Sequence, residues 1–71
     1  MFSKEIFAER FKKLRLDNHL LQPQMAIILG ISKSAICMIE KGERAVSVEV
    51  LTLICEHFNV SADYLLGLKE E

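Results

Sequence analysis

The tripeptide Gly30-Ile31-Ser32 constrains this chain most. It stands between two short helical patterns, one beginning at Gln22 and one running from Lys33 to about Glu40. Glycine ends a helix where a left-handed backbone is needed, and serine caps the start of the next. Only three residues separate Leu29 from Lys33, so the second helix must turn sharply away and still pack against the first. Each position carries a demand. Ala26 must be small where the helices cross. Ile31 plugs the corner, and Ile36 anchors the second helix to a core. Lys33, Ser34, Cys37 and Met38 are left pointing outward.

Further helices surround this pair. Ser3 caps a first helix whose Phe7, Phe11 and Leu14 recur on one face, and Asp17-Asn18-His19 breaks it. Pro23 fits the first turn of the second helix, with Met25, Ala26 and Leu29 inward. Ile36 and Ile39 face inward from the third helix, which Gly42 stops. Ser47 caps a fourth helix carrying Val48, Leu51, Ile54, Cys55 and Phe58. Ser61 caps a short fifth with Tyr64 and Leu65 inward, ended by Gly67. No stretch alternates as a strand would. The fold class read here is all-α, with five helices in a single domain spanning 1–71. The helix-turn-helix lies at about 22–41, and residues 68–71 are expected to fray.

Length supports one core and no more. A chain of 71 residues buries about 60% of its unfolded surface, and 51% apolar residues suffice to fill one core. The longest apolar runs, such as Met25–Leu29, fall far short of the roughly 20 residues of a membrane span. The N-terminus has an early acid at Glu5 and no apolar h-region, so no secretory signal is read. Cys37 and Cys55 make neither a disulfide framework nor a zinc-type pair. No metal, cofactor or small-molecule ligand is expected. With no nucleophile–base set and no phosphate-cradling glycine loop, no enzyme is expected either. A cytoplasmic location with reduced thiols is the simplest expectation.

Net charge is −1, which by itself argues against nucleic acid. Its distribution argues the other way. Residues 1–46 carry +3 and residues 47–71 carry −4, so one side of the molecule can attract anions.

Phe7–Arg15, then "LLQPQMAIILGISKSAICMIEKGER", then "SVEVLTLICEHFNVSADYLLG" together resemble the phage-repressor and Cro-like helix-turn-helix family, also called the xenobiotic-response-element type. The likeness covers about residues 6–67 and joins five pieces in order and spacing. It implies a five-helix lambda repressor-like bundle that binds operator DNA, usually as a dimer. By that resemblance Gln22 contacts a phosphate. Lys33, Ser34, Cys37 and Met38 face base edges or the adjacent backbone, and Lys41 and Arg44 lie along phosphates. Arg15 and Glu40 form an internal salt bridge.

The chain also departs from the family pattern. Leu21 stands where relatives place a capping Thr or Ser, which leaves Gln22, just before Pro23, as the alternative cap. The recognition helix lacks the arginine, glutamine or asparagine forks that read bases in pairs. Cys37 and Met38 offer apolar contact instead, for example to a thymine methyl. Met38 reads equally as packing against the turn. Cys37 reads as an inert thiol or as a redox-sensitive one. His19 and His57 read as surface residues. Ile27, Ile28 and Leu53 replace residues that are usually polar, and Val50 and Leu53 lie three apart on one side of the fourth helix. We expect Val50, Leu53, Phe58 and Leu66 to help bury a self-interface.

The expected function is sequence-specific binding of double-stranded DNA as a transcriptional regulator, in the first place a repressor. Residues 33–40 would enter the major groove of a palindromic operator, bound by a homodimer. The alternative is a protein-interaction module of the antitoxin or anti-repressor-partner type, using the apolar recognition-helix surface.

Overall fold

The computed structural model describes residues 3–70; Met1, Phe2 and Glu71 lie outside the described residues. Five helices follow one another: α1 (Lys4–Asp17), α2 (Gln22–Leu29), α3 (Lys33–Glu40), α4 (Val48–Phe58) and α5 (Ala62–Leu65). Among the described residues there is no strand.

Local hydrogen bonds set the helix starts. The Oγ atoms of Ser3, Ser32, Ser47 and Ser61 accept the backbone N–H groups of Ile6, Ala35, Val50 and Tyr64. Each bond satisfies a donor that the helix itself leaves orphaned. α2 starts differently. Leu21 occupies its N-cap and has no side-chain acceptor. Instead the Gln24 Oε1 accepts the Leu21 N–H at 2.7 Å. Gln22 is therefore not the cap, contrary to the sequence expectation; it is the first residue of the helix.

Left-handed residues set several ends. Gly30 has φ +67°, which lets the Ile31 N–H turn back to the Ala26 carbonyl at 3.1 Å. Three residues after Gly30, α3 begins, and the axis has turned by 108°. Asn59, at φ +55°, closes α4 in the same way, with Val60 N–H on the Cys55 carbonyl. Asparagine tolerates this region better than other side-chain-bearing residues.

α3 packs on α1 and α2, α4 packs on α2 and α5, and α1 also packs on α5. Phe7, Phe11, Met25, Ile36, Ile39, Ile54 and Leu65 are fully buried where these elements meet. The Phe7 and Phe11 rings stack with centroids 5.9 Å apart. Burying one such side chain contributes about 1.5–3 kcal/mol, so these seven dominate the hydrophobic stabilisation. Leu14, Leu51, Cys55 and Tyr64 form part of a half-buried shell around them. Val48 departs from the expected pattern and stands 76% exposed. It precedes Ile54 by six residues, which places it about 120° around the helix from the buried centre.

The C-terminal segment makes contacts with the bundle as far as Lys69. Leu68 N–H donates to the Asp63 carbonyl at 2.8 Å. Arg10 Nη1 donates to the carbonyls of Tyr64 and Lys69, the latter at 2.7 Å, with its guanidinium 4.5 Å from the Tyr64 ring centre. Gly67 permits the close approach: a Cβ there would stand 3.0 Å from Ile6 Cγ2. No single helix among the described residues is long and apolar enough to cross a membrane.

Candidate nucleic-acid interface

α3 buries Ala35, Ile36 and Ile39, and this fixes what it shows to solvent. Lys33, Ser34 and Met38 are exposed on the other side, with Met38 at 40%. Lys41 caps the helix C-terminus and Arg44 follows in the loop; both are exposed. Lys33, Lys41 and Arg44 thus place cationic groups at the start of, at the end of and beyond one short helix. Helix and loop sites of this kind suit an anionic backbone.

Beneath that surface lies a connected polar cluster. Arg15, on α1, is only 7% exposed, and burial of a charge this deep requires partners. Its Nε donates to Glu40 Oε2 at 2.6 Å and its Nη2 to Glu40 Oε1 at 3.1 Å, a two-pronged ion pair. Its Nη1 donates to the Leu20 carbonyl at 2.7 Å, which clamps the α1–α2 turn. The hydrogen bond to Glu40 raises the guanidinium pKa above its already high ordinary value, against the opposing effect of burial. The internal pair implied by resemblance is therefore present, and both partners are buried.

Gln22 extends this cluster. Its Nε2 donates to Glu40 Oε1 at 3.1 Å, and its Oε1 accepts from the Cys37 Sγ at 3.1 Å. The orientation of the carboxamide follows from its neighbour, since a carboxylate accepts only and must face the amide nitrogen. Gln22 is thus tied to the protein interior rather than extended freely toward solvent. Cys37 is likewise not a freely outward group: it is half-buried and its thiol turns toward Gln22. Sequence reasoning missed both links. Gln24 as the partner of Leu21 was legible, because a glutamine three residues after a cap position is the second half of a capping box.

The side chains expected at a self-interface do not form one exposed set. Leu53 is 43% exposed, but Val50, Phe58 and Leu66 are half-buried and pack against the core. The premise that the core does not need these residues holds for Leu53 alone. Ile28 packs inward as well, whereas Ile27 is exposed. His19 and His57 are exposed, and His57 meets the Phe58 ring edge-on at 4.7 Å. Burial, with a smaller effect from Glu56, pushes the Cys55 thiol up in pKa, which makes it less reactive.

The helix-turn-helix family HTH_3 matches residues 11–65. The control protein C.SmaI of Serratia marcescens is 38% identical over 71 residues, covering 96% of this chain and 84% of that protein. The antitoxin PezA of Streptococcus pneumoniae is 36% identical over 62 residues. That match covers 87% of this chain but only 39% of the antitoxin, so the chain spans well under half of that relative. Among solved structures, the restriction-modification controller protein C.AhdI of Aeromonas hydrophila superposes with a TM-score of 0.77. At 24% identity, over 87% of this chain and 94% of that one, the likeness is one of fold.

Proposed function

The chain belongs to the helix-turn-helix family HTH_3, and from that premise we propose that it is a sequence-specific double-stranded DNA-binding transcriptional regulator. α3 enters the major groove. Lys33 and Ser34 reach base edges or the flanking backbone, and Lys41 and Arg44 neutralise phosphates. The observation that carries this reading is the placement of α3. Its inner side is fully anchored and α2 braces it across a 108° turn, which leaves the outer side free. Among the described residues, Lys33 and Lys41 are exposed at the two ends of α3 and Arg44 is exposed in the loop that follows, which supports this reading.

A homodimer on a palindromic operator completes the proposal, with half-sites about 34–36 Å apart. Leu53 supports a self-interface on α4. Repression follows most directly, since occupying a promoter requires nothing beyond binding. The compartment is the one that holds the DNA, the cytoplasm of a bacterial cell.

Selection of bound duplexes from a random pool tests the reading, repeated with Lys33→Ala. We expect a palindrome to be enriched and its enrichment to weaken in the variant. No enrichment at moderate salt, together with salt-independent binding to a protein, would establish the interaction module instead.

A further inference from the structure

The bases that α3 can read are limited by where its polar hydrogens go. In the middle of the helix the candidate readers are Cys37 and Met38. The Cys37 hydrogen is directed to Gln22 Oε1, away from solvent, because Gln22 must turn its amide nitrogen to Glu40. Glu40 in turn is held by the buried Arg15. The ion pair beneath the helix thereby fixes the carboxamide, and the carboxamide fixes the thiol. Met38 has no side-chain hydrogen to donate, and the residue is 40% exposed. The centre of the recognition surface is therefore a pair of sulfurs and methylenes without a donor. Donors stand only at the ends, on Lys33 and Ser34 before it and on Lys41 after it.

We infer that this centre reads the 5-methyl group of thymine, and that Met38 is the residue that contacts it. The inference rests on the placement of α3 in the major groove. There the thymine methyl is the one apolar group that a base pair presents. A guanine or cytosine edge pressed against Met38 would leave its acceptors or donor unpaired in a desolvated contact, which is unfavourable. A methyl loses nothing there and is removed from water. Thymine is thus selected both by its own contact and by the penalty on its competitors. The absence of paired-donor forks on α3 is then a property of the site being read.

The test uses the enriched duplex with each thymine of the half-site replaced in turn by deoxyuridine, which deletes the methyl and nothing else. We expect one or two positions per half-site at which uracil weakens wild-type binding by about fourfold, the value of one buried methyl-sized group. Met38→Ala should bind thymine and uracil duplexes equally at those positions and still distinguish bases opposite Lys33. Its exposure predicts normal folding, which a urea melt checks. An enriched site with no thymine opposite the centre of α3 overturns the inference. So does uracil bound as tightly as thymine, or an undiminished uracil effect in Met38→Ala. Failure to enrich any duplex is a different result and overturns the DNA-binding reading itself.

Discussion

Arg15 shows how a single residue organises this bundle. Taking a guanidinium out of water is costly, and three acceptor contacts offset it: both Glu40 oxygens and the Leu20 carbonyl. The residue joins three segments, because Arg15 lies on α1, Leu20 in the turn and Glu40 on α3. Removing one partner strands the other charge. Glu40→Ala is therefore expected to destabilise the fold by about 3–5 kcal/mol in urea unfolding. Replacing both, as in Arg15→Met with Glu40→Leu, should lie much nearer the parent, since no buried charge is left behind. A cost below about 1 kcal/mol for Glu40→Ala would mean that the pair behaves like a solvated one. The pair itself was legible only through the family resemblance. The inward turn of Gln22 was not, because it depends on which atom of the carboxamide faces Glu40. That follows only once the carboxylate is in place.

Helix ends account for most of what could be read at the next scale. The four serine caps and the glycine stop after α2 depend on contacts within three or four residues, so they are encoded locally. What sequence reasoning missed depends on distance or rotation. Arg10 reaches carbonyls 54 and 59 residues away, and no local pattern marks that contact. Val48 is apolar but lies on the wrong side of α4. The turn after α2 offers a clean measurement, because a Cβ on Gly30 would meet no atom within 4 Å. Steric packing is thereby excluded and only the backbone cost of φ +67° remains. Gly30→Ala is expected to lower stability by about 1–2 kcal/mol. Gly30→Asn should cost less, since asparagine visits this region more readily. Chemical denaturation of the two variants side by side checks the ordering. Equal costs would mean that the turn relaxes out of its left-handed geometry.

For the whole molecule, the division of charge replaces its total as the relevant quantity. Residues 1–46 carry +3 even with Arg15 and Glu40 cancelling each other, so the excess resides on Lys and Arg outside that pair. Not all of these are equivalent. Lys13 pairs with Asp17 at 2.8 Å and borders a groove formed with α5, among Asn59, Ser61 and Tyr64. Lys41 and Arg44 follow α3 on the proposed DNA side. Each cation that meets a phosphate releases condensed counterions, and the dependence of affinity on salt counts them. With four to six such contacts the slope of log affinity against log salt should be roughly −4 to −5. Because each substitution removes one contact from each protomer of the homodimer, Lys41→Ala or Arg44→Ala should each make that slope shallower by about 2 and weaken all sequences alike. Lys13→Ala should leave it unchanged, since that side chain belongs to the α5 side. Titrations of one duplex at several salt concentrations decide the matter. An equal loss of slope from Lys13→Ala would show that the anion responds to overall charge, and the assignment of Lys41 and Arg44 to phosphates would fall.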